Sequence, residues 1–269
     1  MLRLALFLPV LAIGGLFGFD RFEAQAVYPF DTTRQSPADA GVPKLQERLY
    51  EANGQSLIIW TARPQVGQPT ILYFHGNAGN LANRAGRFQL FLNRGYGLIA
   101  PAYRGSSGSS GRPTEQALTL DARHIYNHLD QIIPSLTPAN TVIYGESLGT
   151  GVALKLLAST DTEQPAAVIL EAPYTSLPAV VRHLYPQLKP LTPKMKNIWN
   201  SLENITRLTA PLLILHGTDD SLIPIQQGRQ VFTAAPSQIK HFVAVKGAGH
   251  SNTWRADTLP KLWHFIDQK

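Results

Sequence analysis

Residues 141–153 read TVIYGESLGTGVA, with the serine at position 147 between two glycines. The residues before the first glycine are β-forming and largely apolar, and those after the second are small or leucine-rich. This order predicts a strand, a sharp turn and a helix, with Ser147 at the tip of the turn. Such a turn exposes the hydroxyl and places the Leu148 amide at a helix N-terminus, where an oxyanion can be stabilised. Gly145 and Gly149 supply the room that the turn needs.

Two further motifs supply a base and an acid, which a serine needs because its hydroxyl is a weak nucleophile. His250 lies in the loop GAGHSN, whose glycines let a histidine reach across the edge of a sheet. Asp220 follows an apolar strand in HGTDDSLIP, and Asp219 beside it is the rival acid. The order Ser147, Asp220, His250 is one in which serine hydrolases arrange a catalytic triad. We therefore predict these three residues to be catalytic.

A second oxyanion donor is expected from the turn HGNAG at residues 75–79, which follows an apolar strand. The backbone N–H of Asn77 is the candidate, beside that of Leu148. Loss of one such donor costs on the order of 10²–10³ in rate. His75 itself is expected to be a packed, hydrogen-bonded histidine with a structural role.

Strand and helix signals predict an α/β fold with about eight mostly parallel strands and helices on both faces. An opening hairpin is indicated by Asn53-Gly54 between two strand patterns, and a polar stretch at 31–42 before it reads as a linker. The predicted strands are 45–50, 56–61, 70–75, 98–102, 141–144, 167–171, 212–216 and 242–245. The predicted helices are 80–94, 114–133, 148–158, 225–235 and 258–268.

The length and composition limit the classes of function that need to be considered. The chain has 269 residues, 44% of them hydrophobic and 16% charged, which suits one large globular domain. It contains no cysteine, so disulfides and thiolate metal sites are excluded, and its histidines do not cluster at ligand spacing. We expect neither a cofactor nor a metal. The net charge of +6 is scattered, without a basic run, so a nucleic-acid partner is not expected.

The N-terminus carries an uncharged apolar stretch from Leu4 to Phe19, closed by Asp20 and Arg21. Sixteen helical residues reach about 24 Å, short of a hydrocarbon core of roughly 30 Å. We favour an uncleaved membrane anchor. The alternative is a signal peptide that is cleaved after Ala26, and a third interpretation is a buried N-terminal helix. With Arg3 as the one charge before the stretch, the positive-inside rule predicts an exported catalytic domain. The cleaved form would be secreted or periplasmic.

Together these motifs resemble the α/β-hydrolase superfamily, and within it the short-capped, membrane-anchored α/β-hydrolase-domain proteins. The likeness runs from about Tyr28 to the C-terminus and rests on seven ordered stretches, with Ser107 departing from a usual glycine. The stretches are VYP, HGNAGN, PAYRGSSGSSGRPTE, GESLGTGVA, EAPYTSLPAV, HGTDDSLIP and GAGHSN. The resemblance implies a hydrolase of esters or thioesters, with some relatives removing acyl groups from proteins.

The predicted organisation is an anchor or signal segment at 1–26 and a hydrolase domain at 27–269, with a small cap at about 174–209. Because the sheet begins after Tyr28, deletion of residues 1–26 is expected to leave an active hydrolase. The expected substrate is a small-molecule or lipid-like acyl compound, or an acylated protein. Alternatives are an acyltransferase, a serine aminopeptidase-like enzyme and a catalytically silent membrane-tethered binding module. Aromatic and leucine residues of the cap either line an acyl pocket or form the core of the cap: Tyr174, Leu177, Leu184, Tyr185 and Trp199.

Overall fold

An eight-stranded sheet runs through the protein, whose structure, a computed structural model, describes residues 16–269 with side chains from Arg21 onward. The order across the sheet is β1-β2-β4-β3-β5-β6-β7-β8. The first two pairings, β1 with β2 and β2 with β4, are antiparallel, and the other five are parallel. The strands are β1 (Gln46–Ala52), β2 (Gln55–Ala62), β3 (Thr70–Phe74), β4 (Gly97–Pro101), β5 (Thr141–Glu146), β6 (Ala167–Glu171), β7 (Leu212–Gly217) and β8 (Lys240–Val245). The predicted fold class is confirmed.

Helices cover both faces of the sheet, so the inner strands bury successive side chains on opposite sides. The helices are α1 (Leu16–Val27), α2 (Ala85–Asn93), α3 (Glu115–Asn127), α4 (Leu129–Ile132), α5 (Leu148–Leu157), α6 (Leu177–Leu184), α7 (Ser201–Asn204), α8 (Ile225–Ala234) and α9 (Leu259–Asp267). On β3, Leu72 and Phe74 join one apolar cluster, with residues of α3, α5 and α8, while Ile71 and Tyr73 join the other, with residues of α2 and α9.

The opening hairpin turns at the predicted pair, where Asn53 and Gly54 both have positive φ, at 50° and 72°. Two predicted helices are interrupted. The first begins with a 3₁₀ turn at Leu81–Arg84 before α2 starts. The second breaks at His128, whose φ of −127° and ψ of 32° are not helical, and this residue separates α3 from α4.

The predicted cap region lies between β6 and β7 and contains α6, a 3₁₀ segment (Pro186–Lys194), α7 and a short 3₁₀ turn. Its aromatic residues divide by burial. Tyr174 and Trp199 are buried in the same apolar cluster as α5, whereas the Tyr185 side chain is exposed. Tyr174 and Trp199 therefore serve as core residues beneath the cap.

Helix α1 spans the predicted boundary at residue 26 and contacts the cap. The Glu23 carboxylate is buried and accepts hydrogen bonds from the backbone N–H groups of Lys196 and Asn197. Tyr28, next to the helix, donates its hydroxyl to the Asn197 side chain at 2.8 Å and accepts from Trp199 Nε1 at 2.9 Å. The end of α1 and the start of the hydrolase domain are thus joined through the cap. Deletion of residues 1–26, which the sequence predicted to leave an active hydrolase, would remove the buried Glu23 carboxylate that the cap loop uses.

The membrane prediction rests mostly on residues 1–15, which lie outside the described residues. Within residues 16–269, no helix has the length and apolar character needed to cross a bilayer. The predicted linker at 31–42 lies against the domain, since Asp31 accepts a hydrogen bond from the Asn80 side chain at 2.9 Å and its backbone C=O accepts from the Ser107 N–H.

Candidate active site

Ser147 stands at a strained turn between β5 and α5. Its φ of 50° and ψ of −112° are sparsely populated for a residue with a side chain, as is typical of a nucleophile elbow. The flanking glycines are required by space. A Cβ on Gly149 would lie 2.0 Å from the Phe74 carbonyl oxygen, and one on Gly145 would lie 2.6 Å from the Gly149 carbonyl oxygen.

A chain of two hydrogen bonds joins the three predicted catalytic residues. His250 Nε2 lies 2.9 Å from Ser147 Oγ, and His250 Nδ1 lies 2.8 Å from Asp220 Oδ2. Each residue follows the carboxyl end of a different parallel strand: β5, β7 or β8. With an ionised Asp220, the Nδ1–H donates to the carboxylate and the Nε2 lone pair accepts the serine proton. The structure therefore brings together the residues that the sequence singled out.

The second Asp220 oxygen is also engaged. Oδ1 accepts the backbone N–H groups of Leu222 and Ile223, both at 2.9 Å. Burial raises the pKa of Asp220, but hydrogen bonds from His216 and His250 and from the Ile223 N–H outweigh it, so the net pKa lies below its usual range. This carboxylate stays ionised at every pH at which a serine hydrolase is normally assayed.

The rival acid is placed elsewhere. Asp219 is exposed, and its carboxylate accepts the Thr218 hydroxyl at 2.8 Å. Its backbone N–H donates to the Ala248 carbonyl oxygen, which fixes the loop that carries His250. Asp219 therefore supports the loop while Asp220 contacts the imidazole.

The two predicted oxyanion donors lie on elements that touch. Leu148 is the first residue of α5, and Asn77 lies in the loop after β3. The first turn of α5 packs closely against the end of β3. A Cβ added at Gly149 would also lie 3.0 Å from the His75 carbonyl oxygen, which shows how close the two elements are. The Asn77 side chain donates to the carbonyl oxygen of Val27, at the end of α1, at 3.4 Å.

His75 is a structural residue beneath this loop. Its ring is buried, packs at a tilt against Tyr103 with a centroid separation of 4.2 Å, and places Nδ1 2.7 Å from the Gly76 carbonyl oxygen. Burial and the nearby Arg84 guanidinium lower the pKa of His75 to about 3. The imidazole is therefore neutral at neutral pH.

A network of four buried or half-buried charges lies under the elbow, and sequence reasoning missed it. Arg84 pairs with Glu146 at 2.9 Å, and Arg87 pairs with Glu171 and lies 3.8 Å from Glu146. Glu146 directly precedes Ser147, and the Glu171 carbonyl oxygen accepts the Ser147 N–H at 2.9 Å. The one signal in the sequence was an acidic residue at the end of a buried strand.

In residues 21–269, no group of three or more histidine, aspartate or glutamate side chains is arranged to hold a metal ion. The groups joined to the Ser147 hydroxyl, an imidazole and beyond it a carboxylate, are of the kinds that acyl-transfer sites use.

Comparisons with known proteins identify related families and structures. A family model described as alpha/beta hydrolase fold matches residues 69–199, and one described as serine aminopeptidase matches residues 191–253. The chain is 35% identical to an uncharacterized protein of Mycobacterium tuberculosis over 184 residues. This alignment covers 68% of this chain and 63% of that protein. It is 33% identical to the lysophosphatidylserine lipase ABHD12 of Rattus norvegicus, over 72% of this chain and 54% of the lipase. The chain thus spans less than two thirds of these relatives.

Among solved structures, an esterase of Pyrococcus furiosus superimposes with a TM-score of 0.68 and 16% identity, covering 90% of this chain and 96% of the esterase. An acylaminoacyl peptidase of Pyrococcus horikoshii gives a TM-score of 0.63 at 16% identity, over 84% of this chain and 41% of the peptidase. These likenesses establish a shared fold.

Proposed function

Because the chain belongs to the α/β-hydrolase superfamily, a family of hydrolases, we propose that it is a serine hydrolase that cleaves carboxylic ester or thioester bonds through an acyl-enzyme. The observation that carries the proposal is the pair of hydrogen bonds, 2.9 and 2.8 Å long, that link Ser147 to His250 and His250 to Asp220. This is the geometry in which a histidine can remove the proton of a serine hydroxyl.

The proposed reaction has two steps. Ser147 Oγ attacks the acyl carbon while His250 Nε2 takes its proton, and Asp220 stabilises the imidazolium that forms. The carbonyl oxygen becomes an oxyanion that accepts hydrogen bonds from the N–H groups of Leu148 and Asn77. His250 then protonates the departing alcohol or thiol. In the second step His250 deprotonates a water molecule, which attacks the acyl carbon and releases the acid and Ser147.

The match to the serine aminopeptidase model favours a second candidate, removal of an N-terminal residue from a peptide. Such an enzyme needs a carboxylate free to bind the amino group of its substrate. Two carboxylates buried or half-buried beside the cap are already engaged, Glu23 by the N–H groups of the loop at 196–197 and Glu115 by those of Ile198 and Trp199. Their engagement favours ester or thioester hydrolysis over peptidase activity.

The proposed substrate is a lipid-like acyl compound, and the name of the related lysophosphatidylserine lipase supports this class. We also propose that the segment at 1–26 holds the enzyme at a membrane with its catalytic domain exported, close to such substrates. The test is the mature N-terminus and the partition between membrane and soluble fractions. A soluble chain beginning at Val27 would identify a cleaved signal peptide instead.

The test of function uses wild type, Ser147→Ala and the exposed control Ser110→Ala. Wild type and the control should react with a fluorophosphonate probe and hydrolyse p-nitrophenyl esters, whereas Ser147→Ala should lose about 10⁴-fold or more. Chain-length series, acyl thioesters and aminoacyl anilides then identify the substrate class. A folded wild-type protein that neither reacts with the probe nor turns over any of these substrates would favour a silent binding module.

A further inference from the structure

The two proposed oxyanion donors come from different parts of the fold, so their separation has to be maintained. Asn77 belongs to a loop after β3, whereas Leu148 begins α5 after the elbow. Donors contribute only when both lie at hydrogen-bond distance from the position of the oxyanion, and catalytic groups must be held within about 0.5 Å. Some contact must therefore fix the loop relative to the elbow.

Arg84 makes such a contact from beneath the loop. One terminal nitrogen, NH1, donates to the carbonyl oxygens of Ala78 and Asn80, the latter at 3.3 Å. Both of these carbonyls belong to the loop that carries Asn77. The guanidinium thus binds the backbone of the loop that carries Asn77.

The other side of the same guanidinium reaches the elbow. NH2 donates to Glu146 Oε1 at 2.9 Å, and Nε donates to Glu146 Oε2 at 3.1 Å, which is a bidentate pair. Glu146 is covalently joined to Ser147 and also accepts the Tyr73 hydroxyl at 2.7 Å. Burial raises the pKa of Glu146, but Arg84 and Arg87 outweigh it and lower the pKa to about 2.

The loop backbone lies directly on this pair. A Cβ added at Gly76 would be 3.0 Å from Glu146 Oε1 and 3.2 Å from the Arg84 NH2 nitrogen. The Arg84 side chain is only 9% exposed, so its charge is held out of water at some cost. A buried ion pair does not by itself stabilise a fold compared with apolar packing, which leaves positioning as its use here.

We propose that Arg84 and Glu146 are positioning residues that set the separation of the Asn77 and Leu148 amides, and so control the stabilisation of the oxyanion. The inference rests on the proposed acyl-enzyme mechanism. The proposed action of the pair is through the backbone on both sides of the oxyanion.

The test compares Glu146→Gln and Arg84→Lys with wild type. Glu146→Gln keeps the shape of the side chain but removes its negative charge. Arg84→Lys keeps the positive charge but removes the planar guanidinium that makes two parallel hydrogen bonds to the carboxylate. Partial loss of one oxyanion donor should lower kcat about 10- to 100-fold while KM changes by less than about threefold. The matched controls are Asp267→Asn and Arg94→Lys, in the exposed pair Arg94–Asp267 at 2.6 Å, which should keep wild-type kcat.

Inhibitors separate positioning from substrate binding. A trifluoromethyl ketone forms a tetrahedral oxyanion on Ser147, so its Ki should rise in proportion to the loss of kcat/KM. The methyl ketone of the same chain length, which stays trigonal, should bind equally well to all forms. Each variant is assayed with its melting temperature, so that kcat refers to folded protein.

Three results would overturn the inference: unchanged kcat in folded Glu146→Gln and Arg84→Lys, equal weakening of both ketones, or failure of both variants to fold. The last would make the pair a requirement of folding alone. Failure of the proposed function is distinguishable, since it would be seen in wild type as a lack of both ester turnover and probe labelling.

Discussion

Replacing Asp220 by asparagine separates charge from shape at the proposed acid. The two backbone N–H groups of Leu222 and Ile223 point at Oδ1, so the amide oxygen of the variant should occupy that position. The NH₂ group then faces His250 Nδ1, which can only accept. This fixes the tautomer in which Nε2 carries the proton, and that tautomer cannot take the proton of Ser147.

The size of the expected loss in kcat/KM follows from the other orientation of the amide group in the Asp220→Asn variant. Turning the amide over restores the correct tautomer but directs NH₂ at the two backbone N–H groups and leaves both without an acceptor. Each unsatisfied group costs about 1–3 kcal/mol, so the competent arrangement is disfavoured by about 2–6 kcal/mol. At about 1.4 kcal/mol per tenfold, kcat/KM should fall by about 30-fold to 10⁴-fold, and the upper end of this range matches the loss known for such a change.

The assay is p-nitrophenyl ester hydrolysis by Asp220→Asn, with thermal unfolding to verify the fold and Asp219→Asn as the control. The control should stay within about twofold of wild type, because its carboxylate is exposed and bonded to Thr218. A folded Asp220→Asn enzyme that keeps more than a tenth of wild-type kcat/KM would refute the tautomer argument. Greater damage from Asp219→Asn would mean that the acid has been assigned to the wrong residue.

Three more outcomes are expected. Gly149→Ala should lower the free energy of unfolding by about 1–3 kcal/mol or prevent folding, because the added Cβ would lie 2.0 Å from a carbonyl oxygen. The control Gly86→Ala has no atom within 4 Å of the added Cβ and should be neutral or stabilising; both variants are measured by urea unfolding. Glu23→Ala should lower the melting temperature and ester turnover, because it leaves the N–H groups of the cap loop unpaired; full retention of both would contradict this role. The pKa of Glu146 falls from 4.5 in the unfolded chain to about 2 in the folded protein, so ionised Glu146 should stabilise the folded state fully above pH 4.5 and lose this effect towards pH 2. In Glu146→Gln, the free energy of unfolding should therefore depend less on pH in this range.

Much of the fold could be predicted because its signals are local. Continuous apolar runs marked the inner strands, and Asn53-Gly54 marked the hairpin, since each pattern reports burial or turn geometry within a few residues. The order of Ser147, Asp220 and His250 was readable for a similar reason, as each follows a strand in a glycine-rich or polar turn. Their catalytic roles remain predictions for the assays above.

What the sequence could not reveal depends on partners far along the chain. Arg84 and Glu146 are 62 positions apart, and neither looks unusual without the other. Glu23 belongs to a charged stretch that reads as the exposed flank of an apolar segment, yet its carboxylate is buried against a loop 173 positions away. Burial of a charge is decided by the groups that compensate it, and those groups are brought together only by the tertiary fold.

Helix α1 contributes a fixed rise between the candidate active site and the residues that precede Leu16. At about 1.5 Å per residue, the helix from Leu16 to its contact at Glu23 rises only about 10 Å, and all twelve residues rise about 18 Å. Hydrogen bonds between Glu23 and the cap and between the Val27 carbonyl oxygen and the Asn77 side chain also fix the rotation of the domain about this helix. If the preceding residues are held at a bilayer, the cap stands at a set height and angle above the headgroups. Substrate choice would then depend partly on reach, favouring acyl bonds at one depth of the lipid surface.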